Sequence, residues 1–320
     1  MAERNGVRGD AAKKGGLTVV GTPIGNLGDL SPRAREALAS ADVVCCEDTR
    51  VTGRLLSAVG VSVPLLRCDE NVIASRTPEL VRRMLAGEAV AFASDAGMPG
   101  VSDPGQRLVD AAIAAGVPVT VVPGPVACVT ALVACGIPCE RFFFEGFLPR
   151  KSGERERRLR ALAPVPGALI FYESPHRVMA TLESIASVFP RRETALVREL
   201  TKVHEEVVRD LAPALVERLR ERESLKGEMV VVVAPPTEEE LERLAQASLV
   251  AGSSSGDAGG APGGEGSPSA DELLRREILA ALEAGEGTGS IAKRLSTRFS
   301  RRKREVYELA VSLQDDASMR

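Results

Sequence analysis

Three loops rich in glycine and proline follow apolar, strand-like runs in the first half of the chain: Gly21–Asp29, Ser94–Gly105 and Val122–Ala127. Loops rich in glycine and proline are rigid and expose backbone N–H and C=O groups. The glycine spacing is not G-x-G-x-x-G, and no Lys-Ser/Thr pair follows that could bind nucleotide phosphates. Each loop alone could be a plain turn, but together they predict the rim of a small-molecule site.

Charged clusters also stand where strand-like runs end. Glu47–Arg50 lies in the first half of the chain, and Phe171–Arg177 and Arg198–Lys202 lie in the second. Surface charge pairing would explain any one of them and would contribute little stability. Their repeated position at the carboxyl ends of strands, where α/β folds bind ligands, favours a functional role. The segment Pro149–Arg160 has an excess of basic residues, which fits either a solvated helix face or a contact with an anionic partner.

Strand-like runs alternate with helix-like stretches such as Gln106–Ala115. The strand-like runs are Leu17–Gly21, Asp42–Cys46, Val63–Cys68, Ala89–Ser94 and Val117–Val122, then Ala168–Glu173, Thr194–Glu199, Glu205–Asp210 and Met229–Ala234. This alternation predicts two α/β domains, the first around a largely parallel sheet, with a cleft between them. The pattern changes at Arg141–Pro149, which contains four of the eight phenylalanines.

Composition limits the class of protein. The 320 residues suggest about two domains, and 44% hydrophobic with 27% charged residues is ordinary for a globular chain. The net charge of -3 gives no global basic field, so a nucleic-acid site would have to be a local patch. No apolar stretch approaches the ~20 residues of a membrane span, and residues 1–16 lack the apolar core of a signal peptide. We expect a cytoplasmic protein with no membrane association.

The six cysteines and two histidines do not suggest a metal site. No C-x-x-C pair occurs, and neither histidine lies near a cysteine in the sequence. Most cysteines stand among Val, Ala and Ile, as expected of small buried side chains in a reducing compartment. No metal is therefore expected.

The composition changes near the C-terminus. Of the nineteen residues Gly252–Ala270, seventeen are Gly, Ser, Ala or Pro, which is typical of a flexible linker. Three helix patterns follow, and seven basic residues with no acidic one lie between Gly289 and Arg304. We expect a disordered tail over 1–16, an N-terminal α/β domain over 17–140, a second α/β domain over 141–251, a linker over 252–270, and a small basic helical domain over 271–320.

The loops also carry a family resemblance. The motifs VGTPIGNLGDL, EDTR, SDAGMPGVSDPG, VPGPVA, EGFLPRKSG, FYESPHR, RELTKVHEE and KGEMVVVV occur in this order between Leu17 and Pro235. The series resembles the ribosomal RNA small subunit methyltransferase I family, within the tetrapyrrole-methylase class of S-adenosylmethionine enzymes. The last helices also resemble a small domain that many members carry, although the linker here is unusually long. The resemblance implies a tetrapyrrole methylase-like fold and 2′-O-methylation of a cytidine ribose in 16S ribosomal RNA.

The resemblance also implies S-adenosylmethionine as the cofactor, bound in the cleft between the two α/β domains. By motif matching, the residues expected around it are Pro23, Gly97, Met98, Val101, Ser102, Val126 and Ala127, together with Phe171, Tyr172, Glu228 and Met229 beside the adenine. The loops agree with this implication, because the cofactor carries no phosphate and needs apolar cover and backbone hydrogen bonds.

The implied reaction methylates a ribose hydroxyl, which is a poor nucleophile while it holds its proton. Asp29, Asp95, Glu173 and His176 are candidate proton acceptors, and Asp95 and Glu173 are preferred because both stand at strand ends. The residues expected to bind RNA are Lys151, Arg155, Arg177, Arg198, Lys202, Lys293, Arg294, Arg301 and Arg302. The expected partner is small-subunit ribosomal RNA, free or within the 30S subunit, and the class suggests a homodimer.

Two other functions fit parts of the chain. A methylase of tetrapyrroles, of the precorrin or uroporphyrinogen type, could use the same cleft, but it would not require the basic stretches or the helical appendage. A non-enzymatic helix-turn-helix nucleic-acid binder would account for the last fifty residues. That function would leave the first 235 residues, and the loops within them, without a role.

Overall fold

The structure is a computed structural model that describes residues 15–100, 105–222, 224–253, 270–283, 286–299 and 301–318. The chain divides into two compact units, Met1–Gly252 and Ser253–Arg320. The larger unit contains two five-stranded sheets. Among the described residues, no helix is long and apolar enough to cross a membrane.

The first sheet is wholly parallel, with the strand order β3-β2-β4-β1-β5. Its strands are β1 (Gly16–Val20), β2 (Val43–Cys46), β3 (Leu65–Arg67), β4 (Ala89–Ala93) and β5 (Val119–Val122). The helices of this half are α1 (Pro32–Ala39), α2 (Thr49–Ala58), α3 (Ile73–Leu85), α4 (Gln106–Ala114) and α5 (Ala127–Cys135). Apolar cores bury both faces of the sheet, which explains the continuous apolar runs. Because the strands are parallel, the loops that follow them lie at one edge.

The second sheet is mixed, with the order β6-β7-β10-β8-β9 and only the β6–β7 pair parallel. Its strands are β6 (Phe142–Phe147), β7 (Ala168–Glu173), β8 (Glu193–Arg198), β9 (Glu206–Leu211) and β10 (Met229–Val233). The accompanying helices are α6 (Ser152–Leu162), α7 (Val178–Val188), α8 (Ala212–Arg220) and α9 (Glu238–Ser253). Strand β10 runs antiparallel between β7 and β8, so its first residue, Met229, pairs with the last residues of both neighbours, Glu173 and Arg198.

Helix α5 joins the two sheets. It follows β5 of the first sheet in sequence, but its buried residues Cys128, Ala131 and Cys135 pack in one apolar core with residues of the second sheet, among them Ile170 and Val232. The predicted boundary near residue 140 therefore separates two parts of the sequence that share a core.

The C-terminal unit consists of α10 (Ala270–Glu283), α11 (Thr288–Arg298) and α12 (Lys303–Ser318). Its core includes Ile278 from the first helix, Ile291 and Leu295 from the second and Val306 from the third. These positions follow the helical spacing that the sequence pattern predicts.

The predicted fold class is confirmed: two α/β layers precede a small helical region. Three details were not predicted. The aromatic run at Arg141–Pro149 contains an edge strand, the second sheet is mostly antiparallel, and α9 forms a helix where none was predicted. Strand β1 also begins one residue inside the predicted tail. Residues 1–14 of that tail and residues 254–269 of the predicted linker lie outside the described residues.

Candidate active site

The loops after β1, β4 and β5 contact one another through their backbones. Thr22 and Gly97 exchange two hydrogen bonds of 2.9 and 3.1 Å, and the N–H of Gly21 donates to Val122 O at 2.9 Å. A Cβ atom added to Gly21 would lie 2.5 Å from the amide nitrogen of Gly124. Only glycine allows so close an approach, so these glycines bring three loops together at one edge of the sheet.

The second sheet contributes a floor. Phe147, Tyr172, Val230 and Val197 are paired across β6, β7, β10 and β8, so their side chains lie on the same face. The hydroxyl of Tyr172 accepts a hydrogen bond of 3.2 Å from the N–H of Cys128, near the start of α5. This bond ties the floor to the helix that follows the third loop.

A cavity of about 440 Å³ lies between the loops and this floor. Its lining residues are Ile24, Ala96, Gly97, Met98, Val126, Ala127, Phe147, Tyr172, Glu173, Ser174, Pro175, Val197, Leu200, Gly227, Glu228, Met229 and Val230. The volume falls within the roughly 300–1,000 Å³ typical of small-molecule sites. Most of the lining residues are apolar, and the polar side chains among them, Glu173, Ser174 and Glu228, lie at or next to the ends of β7 and β10.

The turn between β8 and β9 forms part of the rim and holds unusual backbone. Glu199 (φ 51°) and Thr201 (φ 63°) both adopt the left-handed conformation. The Glu199 carboxylate accepts hydrogen bonds of 2.9 Å from Lys202 Nζ and from the N–H of Glu228, and these bonds lower the pKa of Glu199. Strained residues held by surrounding bonds are typical of functional sites. No pattern in the sequence predicts this conformation.

Comparison with known proteins identifies the family. Residues 16–216 match the family described as Tetrapyrrole (Corrin/Porphyrin) Methylases. A ribosomal RNA small subunit methyltransferase I of Synechocystis is 35% identical over 94% of this chain and 99% of its own length. Another, of Xylella fastidiosa, is 44% identical over 72% of this chain and 86% of its own. The chain belongs to the ribosomal RNA small subunit methyltransferase I family.

Solved structures agree at the level of the fold. Diphthine synthase superposes with a TM-score of 0.54 at 16% identity, covering 72% of this chain and 94% of its own. The methyltransferase CobJ superposes with a TM-score of 0.52 at 22% identity, covering 69% and 94%. At such low identity these likenesses show the architecture alone.

Membership of this family makes the chain an S-adenosylmethionine-dependent methyltransferase and confirms the predicted cofactor. The cavity fits that molecule by volume and by chemistry. Its described lining contains no Lys, Arg or His side chain that would bind a phosphate, and the cofactor has none. The lining combines backbone at Gly97 and Gly227 with apolar side chains, which suits a ligand that has both polar and aromatic parts.

The predicted cofactor residues fall into three groups. Gly97, Met98, Val126, Ala127, Tyr172, Glu228 and Met229 line the cavity. Pro23 does not line it, although the next residue, Ile24, does. Val101 and Ser102 lie outside the described residues, so the roles predicted for them stay predictions.

The prediction for Phe171 needs correction. Side chains alternate between the two faces of a strand, and Tyr172 faces the cavity, so Phe171 points to the opposite face. There it is fully buried in the core beneath α7 and α8. Its ring therefore cannot border an adenine in the cavity.

Glu173 is held in a way that does not suit a proton acceptor. Its carboxylate accepts hydrogen bonds from Ser174 N at 2.8 Å and Thr181 Oγ1 at 2.7 Å, and Arg177 Nη2 lies 3.3 Å from the same Oε2. The side chain is 0% exposed. Its catalytic role stays a prediction, which this burial and these bonds disfavour; the bonds hold Glu173 against the segment between β7 and α7, which lines the cavity.

Asp95 has a different environment. It follows β4 and directly precedes the cavity residues Ala96 and Gly97. One carboxylate oxygen accepts a hydrogen bond of 3.1 Å from the N–H of Asp48, and no described residue bonds the other oxygen. Asp95 is half-buried beside the cavity without lining it.

Four basic residues predicted to bind RNA have structural partners. Arg155 is 5% exposed and donates to Ser184 Oγ and Arg150 O, so burial rules out the predicted contact with an RNA backbone. Arg177 donates to Leu148 O at 2.7 Å in addition to its pairing with Glu173. Arg198 forms an ion pair with Glu206 at 3.1 Å. Lys202 forms ion pairs with Glu199 at 2.9 Å and with Glu228 at 3.2 Å.

The other predicted basic residues are exposed. Lys151 stands at the start of α6 and pairs with Glu154 at 3.3 Å. In the C-terminal unit, Lys293, Arg294, Arg301 and Arg302 are exposed, with Arg294 bonded to Glu286.

Nine cavity residues were not predicted from the sequence: Ile24, Ala96, Phe147, Ser174, Pro175, Val197, Leu200, Gly227 and Val230. For Val197 and Val230 the signal was available, because each stands in a strand whose alternating positions share one face. Among the described residues, no group of three or more His, Cys, Asp or Glu side chains is arranged to hold a metal.

Proposed function

We propose that this protein transfers the methyl group of S-adenosylmethionine to the 2′-hydroxyl of a cytidine ribose in small-subunit ribosomal RNA. The observation that carries the proposal is the apolar cavity at the edges of both sheets, in a chain whose relatives are named ribosomal RNA small subunit methyltransferase I. Exposed basic residues in both units favour a polyanionic substrate over a small macrocycle.

The cofactor, when bound, supplies an electrophilic methyl group on a sulfonium centre. The backbone at Gly97 and the side chains of Met98, Val126 and Ala127 would hold it against Val197 and Val230 of the second sheet. Tyr172, Glu228 and Met229 would border its adenine. Fixing both reactants in line and excluding water can supply much of the rate.

Asp95 is our proposed acceptor of the ribose proton. Its position after β4 places a carboxylate next to the cavity, and one oxygen is fixed by the Asp48 N–H while no described residue engages the other. A half-buried carboxylate of this kind can take a proton as the hydroxyl attacks.

Lys151, Lys293, Arg294, Arg301 and Arg302 are our proposed RNA contacts. Each is exposed, and basic side chains of this kind bind phosphates without reading sequence. The substrate would be small-subunit RNA, free or within the 30S subunit, which would make this a cytoplasmic enzyme.

A homodimer is also proposed. Helix α5 is apolar around most of its circumference, and only one side of it is buried. On the other side, Val129 (42% exposed) and Val133 (76% exposed) are accessible to solvent. Exposed apolar side chains on such a helix favour a protein partner.

The deciding experiment uses labelled S-adenosylmethionine and small ribosomal subunits from cells that lack this protein. After the reaction, the RNA is digested to nucleosides and separated. Label in 2′-O-methylcytidine is the expected result. No label in RNA, with cofactor binding intact, would refute the proposal and favour a tetrapyrrole substrate.

Ending the chain after Ser253 removes the C-terminal unit and tests its role. The cavity lies wholly within the larger unit, so the dissociation constant for S-adenosylmethionine should not change. RNA binding should weaken, and a plot of log affinity against log salt should become shallower by about one unit for each phosphate that the shortened protein no longer neutralises. Unchanged RNA affinity and slope would show that these helices do not bind the substrate.

A further inference from the structure

We propose that Phe147 is the platform on which the base of the target nucleotide stacks. This inference rests on the proposed function and names the part of the substrate that the rim of the cavity recognises. The strand that carries Phe147, β6, lies at one edge of the second sheet and is irregular.

A β-bulge interrupts the pairing of β6 with β7. Phe144 pairs with Ile170, but Gly146 pairs with Phe171, so Glu145 is an extra residue in the strand. Gly146 has φ +76°, a conformation that favours glycine, and Arg158 holds Glu145 with two hydrogen bonds of 2.6 and 2.7 Å. The bulge is therefore fixed both by its backbone and by a side-chain clamp.

The bulge decides where Phe147 points. If Glu145 paired regularly with Phe171 instead of bulging out, Phe147 would pair with Glu173 and face away from the cavity, because a shift of one residue reverses the faces of a strand. With the bulge it pairs with Tyr172 and lines the cavity. Bulges next to active sites commonly redirect a side chain in this way.

The ring at this position is exposed despite its apolar character. Phe147 is 57% exposed, and its only ring neighbour among the described residues is Tyr172, edge to face at 6.0 Å between centroids. Tyr172 in turn packs edge to face against Phe144 at 4.8 Å. These contacts support the Phe147 ring from one side and leave much of it open at the rim.

An exposed ring at the mouth of a methyl-transfer cavity fits a nucleobase. Bases that enter enzyme sites are unstacked from the RNA, and aromatic side chains replace the stacking that the base gives up. Stacking on Phe147 would place the attached ribose at the entrance of the cavity.

The test compares variants of the full-length protein with small subunits from cells lacking the enzyme. Phe147→Ala should lower kcat/KM for the subunits by about 5- to 100-fold, which is the loss expected for one stacked base. The dissociation constant for S-adenosylmethionine, measured by calorimetry, should stay within about twofold if the ring contacts substrate only. Phe142→Ala is the matched control, since Phe142 is an exposed (48%) phenylalanine of the same strand that does not line the cavity.

Two further variants separate stacking from simple packing. Phe147→Trp should retain most activity because it keeps a flat ring, whereas Phe147→Leu should resemble Phe147→Ala. Restoration by leucine, unchanged kinetics in the alanine variant, or an equal loss of cofactor affinity would each overturn the inference. Failure of the wild-type enzyme to label RNA would refute the proposed function instead, so the two failures are distinguishable.

Discussion

Replacing Asp95 by asparagine should lower kcat for RNA methylation by about 10²- to 10⁴-fold, the usual contribution of a positioned proton acceptor. The amide oxygen of asparagine can still accept the hydrogen bond from the N–H of Asp48, so the loop should keep its conformation. Cofactor affinity should therefore change little. Single-turnover methyl transfer to small subunits measures the chemical step, and calorimetry measures cofactor binding.

Asp29→Asn provides the matched control for this variant. Asp29 is also a carboxylate near the loops, in the short 3-10 helix Leu27–Asp29, but it is exposed and does not line the cavity. Its substitution should leave kcat unchanged. A large loss in Asp29→Asn with normal activity in Asp95→Asn would reverse the assignment of the proton acceptor.

Gly21→Ala should weaken S-adenosylmethionine binding by about 10- to 100-fold, as expected for a clash in a packed site. The new methyl group would lie 2.5 Å from Gly124 N and 2.6 Å from Met98 Sδ. Strands β1 and β5 are paired up to this point, so the loops must move apart where they border the cavity, the proposed cofactor site. Calorimetric titration with S-adenosylmethionine measures the loss.

Gly153→Ala shows whether that loss is specific. Gly153 lies in α6, and a Cβ atom there would meet nothing within 4 Å. Alanine should be neutral or slightly stabilising, because it favours a helix more than glycine does. Equal cofactor affinity in the Gly21→Ala variant and the wild type would contradict the close-approach argument.

The sequence predicted the first sheet well because each of its strands is a short apolar run between helix signals. Parallel strands buried on both faces have this pattern, and the loops that follow them share one edge. That rule alone brought together Gly21, Gly97 and Gly124. The topology of the second sheet was harder to predict, because an apolar run such as Met229–Val233 does not indicate whether its strand pairs in parallel or antiparallel.

Side-chain orientation limited the prediction of the site. Phe171 and Tyr172 are adjacent and apolar, and only the pairing with β10 decides which of them faces the cavity. Phe147 depends on a bulge that is visible only once the strands are paired.

Charge was a poor guide for a related reason. Arg155 stands in a basic stretch that looks solvated, yet it is buried because Ser184 and the carbonyl of Arg150 satisfy it. A count of charges cannot distinguish such a residue from Lys151, four positions earlier, which is exposed.

The placement of α5 restricts how molecules can enter and leave the cavity. Opening the cavity by a hinge motion near residue 140 would have to pull Cys128, Ala131 and Cys135 out of the core that they share with the second sheet. It would also break the hydrogen bond between the Cys128 N–H and the Tyr172 hydroxyl. Because exposing that apolar core to water would cost free energy, wide separation of the two α/β domains should be rare. Exchange of cofactor and product should instead depend on small movements of the loops at the rim of the cavity. For the same reason, the two α/β domains should unfold together in a single cooperative transition.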